Sequence, residues 1–429
     1  MLRTETERRA PPGGPPAGPP SDRGRHHRRS RWRVWRRRLA VVVILALVPI
    51  GWSWGHAVTV PGNGGVAVST VEWIRSHGGG WLVAGIENFW YRLHAPPKGG
   101  KPPPGYIRPS PRAPRARTAS PPGTARTASP PATARHATGP PHLPAPKPIP
   151  TIAKPALAGE GVWHPAGRKV DGLPAVYVAD IRPDTVHTSL VTGVAWMDPK
   201  LLTAKMFAGS EEPGDGPWPY ASPIPPSMRR TLVATFNSGF KMQDAHGGYY
   251  AYGKLAQPLV RGAASLVIYK NGTVNVGSWG TEVRMTPEVA AVRQNLTLII
   301  DHGHMVPGLA TSNFDQWGAT VDNQVLVWRS GVGVTANGAL LYAAGNGLSV
   351  SSLANVLLHA GAVRAMEMDI NYEWTTFSTF DPAPGQPAGP ANAQKLLPDM
   401  DHGGERYFQP YARDFIAMFA RPLHGVARR

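Results

Sequence analysis

Two acidic residues, Glu367 and Asp369, give the clearest chemical signal in this sequence of 429 residues. They lie in the run Val363–Asp369, where side chains alternate as they do in a β-strand. The alternation places both carboxylates on one face of the strand, with their Cα atoms roughly 6.5 to 7 Å apart. Paired carboxylates at such a spacing can perform glycosidic chemistry. The structural alternative is that Glu367 pairs with a buried arginine and that Asp369 caps a turn.

The strand is followed by the loop 370–374, Ile-Asn-Tyr-Glu-Trp, which brings further polar residues next to Asp369. Functional side chains are often found in such loops, because the adjoining strand provides a rigid support. The sequence therefore predicts a functional site where this strand ends.

Two other polar clusters resemble metal sites. In Asp301-His302-Gly303-His304, two imidazoles could share one face of a strand. The run lies between two apolar segments, however, and Asp-x-Gly is typical of a hairpin turn, so we favour a turn. The cluster 401–405, Asp-His-Gly-Gly-Glu, is likewise predicted to be a loop. We predict no metal site, and the sequence leaves the cofactor unknown.

The elements that must position these residues are short and mostly β. Runs of β-branched and aromatic residues predict strands over 175–180, 186–196, 231–236, 264–276, 296–301, 323–341, 363–369 and 415–419. The dipeptides Asn271-Gly272 and Asn337-Gly338 predict tight hairpins with positive φ at both central residues.

Helical patterns are few in the same region. Only 349–361, which ends at Gly361, and the short Pro287–Gln294 are convincing as helices. The predicted fold class is therefore α+β, a mainly antiparallel sheet with one or two packed helices. We predict that this domain covers residues 156–429.

The amino-terminal part of the chain predicts a membrane anchor. Residues 39–60 contain no charged residue, and as a helix they would span about 33 Å, enough for a hydrocarbon core of about 30 Å. Residues 1–38 carry 12 basic and 3 acidic residues, so the positive-inside rule predicts that they are cytoplasmic and that the rest of the chain is extracytoplasmic. The alternative is a cleaved signal peptide. Residues 66–95 contain two amphipathic segments that either lie on the membrane or dock on the folded domain.

Residues 96–155 predict a disordered linker, with 19 prolines, ten basic residues and no acidic residue. Their charge would favour contact with an anionic wall polymer, and the alternative is a soluble stalk. The net charge of +18 belongs to the segments before the folded domain, because residues 156–429 carry 21 basic and 22 acidic residues. A nucleic-acid-binding protein would concentrate positive charge on its folded domain, so we predict no nucleic-acid partner.

The order of motifs over roughly residues 160–420 resembles the phosphodiester glycosidase family. An Asn-x-Gly-Phe segment follows a strand at Phe236–Phe240, and an arginine opens a hairpin of small residues over Arg329–Gly347. A helix then leads through a Gly-Ala step to a strand that ends in an aspartate, over Leu353–Asp369. The resemblance implies a hydrolase that removes a sugar from a phosphodiester. The chain departs from the family where Asp-Gly-Gly-Gly-Ser is replaced by Asp369-Ile-Asn-Tyr-Glu, so side chains replace a loop whose backbone amides could approach a ligand.

The implied reaction expels a phosphate, so it needs a carboxylate near the anomeric carbon and a cation on the phosphate. The residues predicted to be catalytic are Asp369, Glu367 and Glu373. The residues predicted to bind substrate are Asn237, Gly239, Lys241, Arg329 and Asn371.

These inferences combine into one leading hypothesis and two rivals. We predict a single-pass, membrane-anchored extracytoplasmic hydrolase that acts on glycosyl phosphodiesters or cell-surface polysaccharides. Its partners would be a carbohydrate substrate and the membrane, and the linker adds an anionic wall polymer as a further candidate. The first rival is a glycan-binding domain that has lost turnover at the altered loop. The second is a wall-tethering protein in which the cationic stalk is the functional part.

Overall fold

The computed structural model describes residues 23–60, 62, 65–79, 96–110, 141–309 and 326–421. The chain divides into two compact units, Met1–Ala57 and Val58–Arg429. All described residues of the first unit lie in helix α1 (Arg23–Thr59). Its segment Trp35–Thr59, with a mean hydropathy of 1.8, is long and apolar enough to cross a membrane. The segment includes nearly all of the predicted anchor at 39–60.

The second unit is mainly antiparallel β. Its strands are β1 (His164–Val170), β2 (Leu173–Ile181), β3 (Thr192–Met197), β4 (Leu202–Phe207), β5 (Leu232–Asn237), β6 (Tyr249–Ala251), β7 (Lys254–Gln257), β8 (Ala264–Tyr269), β9 (Val274–Ser278), β10 (Val289–Gln294), β11 (Leu298–Asp301), β12 (His304–Met305), β13 (Val327–Thr335), β14 (Leu340–Leu348), β15 (Ala362–Ile370), β16 (Phe377–Phe380), β17 (Ala393–Lys395) and β18 (Phe415–Ala420). The α-helices described in this unit are α2 (Val66–Ile74) and α3 (Val350–His359). The predicted fold class is confirmed.

The strands form three sheets. The largest has eight strands in the order β1-β2-β3-β14-β13-β15-β11-β12, and two five-stranded sheets have the orders β7-β6-β10-β8-β9 and β17-β16-β5-β18-β4. The main core lies on the face of β15 that carries Met366 and Met368, where it meets side chains of both smaller sheets. The opposite face carries Ala365 and packs against α3. The predicted alternation along β15 is therefore confirmed at Ala365, Met366 and Met368. A shift in register between Glu367 and Ile370 interrupts it, so the shared face of Glu367 and Asp369 stays a prediction.

Helix α3 begins where its sequence predicts. Ser349 is the N-cap, and its Oγ accepts a hydrogen bond from the Ser352 backbone N–H at 2.9 Å, while the Ser352 hydroxyl bonds the Ser349 N–H in return. Such a reciprocal cap satisfies two of the donors left open at a helix start. Leu353 and Leu357 are buried against the sheet, which fixes the strand β15 that follows the helix.

The predicted helix Pro287–Gln294 is wrong. Residues 289–294 form β10, which pairs with β6 on one side and β8 on the other. All six residues of β10 are buried, so packing between two neighbouring strands outweighs the weak helical preference of Val-Ala-Ala-Val.

The hairpins are confirmed, but two of their turns differ from the prediction. Among the central residues of the Asn271-Gly272 and Asn337-Gly338 turns, only the glycines have positive φ, at 76° and 87°. A single left-handed glycine is typical of a longer turn with a bulge. The turn between β11 and β12 has positive φ at both His302 and Gly303, and it confirms the turn predicted at Asp301–His304.

Parts of the segment predicted as a linker, 96–155, lie against the β-sheets. Ile149 is buried in the core beneath α3, and its N–H donates to the Gly161 carbonyl at 2.8 Å. Arg108 forms an ion pair with Asp180, which is 1 % exposed. Apolar and ionic contacts thus extend the folded unit toward the amino terminus, to residues before the domain start predicted at residue 156. Residues 111–140 of the predicted linker lie outside the described residues.

Helix α2 belongs to the predicted amphipathic segments at 66–95, and it docks on the folded domain. Val68 packs against an aromatic cluster that includes Trp374 and Tyr411. The carbonyl of Gly62 accepts a hydrogen bond from the Ala412 N–H at 3.3 Å. Of the two locations predicted for this part of the chain, the structure shows docking for α2, and residues 80–95 lie outside the described part.

Candidate active site

The candidate active site lies where three strands of two sheets begin or end. Strand β5 ends at Asn237, β15 ends at Ile370, and β18 begins at Phe415. Phe415 pairs directly with Asn237, so the loop after β5 lies beside the residues that precede β18. The Asp369 N–H donates to the Ser238 carbonyl at 3.0 Å, which joins the end of β15 to the same loop.

Asp369 is held by an arginine that the sequence analysis did not single out. Its Oδ2 accepts a hydrogen bond from Nη2 of Arg413 at 2.6 Å, and its Oδ1 accepts one from the Ile370 N–H at 2.9 Å. The Arg413 guanidinium also donates to the Gly239 carbonyl, and it lies 4.8 Å from the centre of the Trp374 ring. The carboxylate is therefore fixed in one orientation by charge and by hydrogen bonds.

The ionisation of Asp369 is strongly perturbed. Burial raises the pKa of Asp369 to about 7, against the opposing effects of the Arg413 charge and the hydrogen bond from Ile370. Burial raises the pKa of a carboxyl group because it penalises the charged form. A carboxyl that changes charge near neutral pH is suited to transfer a proton in either direction.

A second buried ion pair supports the position of Arg413. Arg293 donates through Nε to Oδ2 of Asp414 at 2.9 Å, and both side chains are fully buried. The same guanidinium donates to the Phe240 carbonyl in the loop after β5. Asp414, the residue after Arg413, is thus bound to Arg293 of β10. This ion pair restricts the backbone that carries Arg413.

Glu373 forms a separate polar group beyond Trp374. Its Oε1 lies 2.8 Å from Nε2 of His402 and 3.5 Å from Nη2 of Arg406. Burial alone would raise the pKa of Glu373, but the His402 hydrogen bond and the neighbouring positive charges outweigh it, and the net pKa is lowered. The pKa values of Glu373 and Asp369 are therefore displaced in opposite directions, as in sites that use one carboxyl as an acid and another as an anion.

A metal ion could be considered at Glu373, because its ligand atoms lie within 4.8 Å of those of Asp401 and His402. The Arg406 guanidinium at the same Glu373 oxygen atom opposes a cation there. The arrangement fits an ion-paired carboxylate better than a metal centre.

Glu367 and Arg329 bind each other. Arg329 Nη1 donates to Oε1 of Glu367, and its Nε donates to the Leu348 carbonyl at 3.0 Å. Glu367 is 0 % exposed and Arg329 is 3 % exposed. A β-bulge lies between the Gly331–Glu367 pairing and the Arg329–Ile370 pairing of β13 with β15, so β15 has one extra residue there. The two carboxylates of β15 therefore bind different arginines, and the catalytic role of Glu367 and the substrate role of Arg329 stay predictions.

The buried side chain of Asn237 links several strands through hydrogen bonds. Its Oδ1 accepts hydrogen bonds from the Tyr342 hydroxyl at 2.7 Å and the Thr376 N–H at 3.1 Å. Its Nδ2 donates to Ser330 Oγ and to the Ser238 carbonyl, both at 3.0 Å. These bonds use its polar atoms to tie β5, β13 and β14 to the loop after β15, so its sugar-binding role stays a prediction.

The remaining predicted site residues shape two loops. A side chain at Gly239 would lie 3.2 Å from Asn295, so glycine allows the close approach of the loop after β5. Asn371 has a φ of 87°, and its Oδ1 accepts a hydrogen bond from the Glu373 N–H at 3.0 Å, which directs this loop. Tyr372, which lies between Asn371 and Glu373 in the sequence, is 47 % exposed. Asn371 thus positions Glu373, and its contact with substrate stays a prediction.

Lys241 faces a residue of helix α2. Its Nζ lies 2.5 Å from Oε2 of Glu72, and Nη1 of Arg75 lies 3.3 Å from the other oxygen atom. Lys241 is predicted from the sequence to bind substrate, and the structure shows it paired with a carboxylate, so its substrate role stays a prediction.

Sequence reasoning missed Arg413, His402 and Glu72. Arg413-Asp414 stands immediately before the apolar strand β18, and a charged pair at the start of a buried strand is a signal that could have been used. His402 lies in a cluster that we predicted to be a loop only. Glu72 had no local signal, because its partner Lys241 is 169 positions away.

Comparisons with known proteins agree with the motifs. The model of the phosphodiester glycosidase family matches residues 230–369, a segment that ends at Asp369, and it confirms the resemblance. The match relates the second unit, Val58–Arg429, which we call the β-domain, to a family of hydrolases. A search of curated proteins gives no match.

Two solved structures show similarity over most of the β-domain. One is the catalytic domain of zebrafish N-acetylglucosamine-1-phosphodiester alpha-N-acetylglucosaminidase, described as auto-inhibited by its pro-peptide, with 14 % identity, a TM-score of 0.37, and coverage of 61 % of this chain and 88 % of that chain. The other is a hypothetical protein from Synechocystis, with 12 % identity, a TM-score of 0.35, and coverage of 60 % of this chain and 64 % of that chain. Both identities are low, so the roles of the site residues depend on the geometry of this chain itself.

Proposed function

We propose that the β-domain hydrolyses a glycosyl phosphodiester and that Asp369 is its catalytic carboxylate. The observation that supports this most directly is the buried Asp369 carboxyl, whose pKa is raised to about 7, at a junction of strand ends in the family-matched segment. Arg413 orients the carboxylate through the 2.6 Å bond to Oδ2. Strongly perturbed groups of this kind cluster at functional sites.

In the proposed reaction, Asp369 accepts a proton from a water molecule whose oxygen atom attacks the anomeric carbon. The bond between that carbon and the phosphate oxygen breaks, and its electron pair leaves with the phosphate. The products are a free sugar and a phosphate monoester. The leaving group is an anion already, so a nearby cation assists more than a strong general acid would.

Glu373 is the second proposed participant. Its lowered pKa keeps it ionised at neutral pH, where it can stabilise positive charge that develops on the sugar ring. Asn371 directs Glu373 by accepting a hydrogen bond from its N–H. Arg329 and Glu367 are left out of this scheme, because Arg329 pairs with Glu367 and also binds the Leu348 carbonyl inside the largest sheet.

The test is to incubate a fragment of residues 58–429 with a glycosyl phosphodiester and measure the release of reducing sugar and phosphate monoester. Asp369→Asn should lower the rate by about 10²- to 10⁴-fold, the usual contribution of a positioned acid or base. Asp244→Asn is the matched control, because this exposed carboxyl lies on the loop after β5. Glycan binding without product release would refute hydrolysis and favour the glycan-binding alternative.

We further propose that α1 anchors the chain in a membrane, with residues 1–38 in the cytoplasm. The support is the apolar segment Trp35–Thr59 preceded by a strongly basic flank. Protease added to intact cells should then release the β-domain as a soluble fragment. A domain that is protected until the cells are lysed would contradict this orientation.

A further inference from the structure

A carboxylate from helix α2 lies against the cations of the candidate active site. Oε2 of Glu72 is 2.5 Å from Nζ of Lys241, and both side chains are mostly buried, at 15 % and 21 % exposure. Lys241 belongs to the loop after β5, the loop whose Gly239 carbonyl binds Arg413. An anionic group of this same chain therefore occupies the cationic part of the site.

The surroundings of Glu72 favour an anion. Burial alone would raise the pKa of Glu72, but Lys241, Arg75 and Arg413 outweigh it, and the net pKa is lowered. The Glu72 charge in turn contributes to the raised pKa of Asp369. The carboxylate of α2 is thus within electrostatic reach of both Arg413 and the proposed catalytic residue.

Two buried donors near this place have no hydrogen-bond partner among the described residues. They are Nε of Arg413 and Oγ of Ser238, and these residues are 4 % and 1 % exposed. Buried polar groups are nearly always hydrogen-bonded, so unpartnered donors beside a bound carboxylate require an explanation. A phosphate has more acceptor oxygen atoms than a carboxylate and could satisfy donors that Glu72 leaves open.

We propose that Lys241 and Arg413, with Ser238, form the phosphate subsite of the active site and that the Glu72 carboxylate occupies this subsite in place of phosphate. This assignment rests on the proposed function for the identity of the substrate, but binding of phosphate does not require turnover. Glu72 competes with the ligand, so α2 must move away from Lys241 when phosphate binds. The helical backbone is broken shortly after α2 ends at Ile74, where Gly78 has a φ of 83°.

The test is a calorimetric titration of the full-length protein in detergent micelles with inorganic phosphate at pH 7.5. Glu72→Gln removes the competing charge and should tighten phosphate binding about tenfold, which corresponds to about 1.4 kcal/mol. Glu288→Gln is the matched control, because Glu288 is an exposed glutamate of the same domain, and it should leave the dissociation constant unchanged. Lys241→Met should weaken binding about tenfold in both the wild-type and the Glu72→Gln backgrounds.

The proposal is overturned if Glu72→Gln binds phosphate as the control does, or if Lys241→Met in the Glu72→Gln background binds as tightly as Glu72→Gln alone. Thermal melting of each variant shows whether it is folded, and Lys241→Gln replaces Lys241→Met if the latter is not. In turnover assays, Glu72→Gln should lower KM about tenfold with little change in kcat. Phosphate binding that follows the prediction in a protein without turnover would refute the proposed hydrolysis and leave the phosphate subsite intact.

Discussion

Replacement of Asp369 by asparagine should change how the stability of the β-domain depends on pH. In the folded protein the pKa of Asp369 is about 7, whereas its ordinary value is 3.8. A folded-state pKa that is raised means that the folded protein binds the proton more tightly than the unfolded chain does. The resulting stabilisation is fully present below pH 3.8 and is lost as the pH rises to about 7.

The size of this effect follows from the shift. A difference of about 3 units, at about 1.36 kcal/mol per unit, amounts to roughly 4 kcal/mol in the free energy of unfolding. Between pH 5 and pH 8 the wild-type domain should lose about 3 kcal/mol through this one group. Asparagine does not titrate, so Asp369→Asn should gain about 3 kcal/mol relative to the wild type over the same range.

The assay is urea unfolding of residues 58–429 at pH 5, 6, 7 and 8, for the wild type, Asp369→Asn and the control Asp244→Asn. Each variant differs from the wild type in one titrating group, so the other groups cancel when its free energy of unfolding is compared with that of the wild type at each pH. A difference between Asp369→Asn and the wild type that stays constant from pH 5 to pH 8 would refute the reasoning. It would mean that Asp369 does not titrate in this range, and its proposed role as a proton acceptor near neutral pH would be lost.

Three further predictions concern the surroundings of the site. Glu367→Gln should destabilise the domain by about 3 to 5 kcal/mol in urea unfolding, because it leaves Arg329 buried without its ionic partner; a loss below 1 kcal/mol would contradict the structural role of the pair. Glu373→Gln should lower kcat/KM by about 10²-fold with little change in melting temperature, and an unchanged kcat/KM would remove it from the mechanism. A fragment of residues 156–429 should melt at a lower temperature than 58–429, because Asp180 loses Arg108 and remains buried; equal melting temperatures would restore the domain start at 156.

The sequence was sufficient to predict most of the elements that carry the site. Alternation of apolar residues located β15, and the Ser349 cap with its apolar face located α3, because these signals depend on neighbours in the sequence. The helix prediction for 287–294 was wrong for the same reason. The local pattern of this segment is helical, and it forms strand β10 because it pairs with two other strands, β6 and β8. Local sequence patterns therefore predicted individual helices and strands better than they predicted how the strands pair into sheets.

The partners of the site residues could not be predicted from local sequence. Arg413 is 44 positions from Asp369 and lies just before β18, a strand of a different sheet, so its contact depends on how β5 and β18 pair. One of the contacts that dock α2, between Glu72 and Lys241, joins residues 169 positions apart. Such contacts follow from the packed fold and leave no periodic signal in the chain.

The two carboxylates of β15 show why residue types alone do not define a site. Glu367 and Asp369 are both buried, and each is bound by one arginine. Arg329 closes the first pair with a further bond to the Leu348 carbonyl inside the largest sheet. Arg413 forms the second pair with Asp369 at the strand ends, and within the described part of the chain its Nε has no hydrogen-bond partner. Its charge also lowers the pKa of Glu72 in helix α2. Among the described residues each pair keeps one buried polar atom without a hydrogen-bond partner, Oε2 of Glu367 in the first and Nε of Arg413 in the second. The carboxylate oxygen atom is an acceptor, whereas the guanidinium N–H is a donor that an anionic phosphodiester can bind, so we assign the chemistry to Asp369 and a structural role to Glu367.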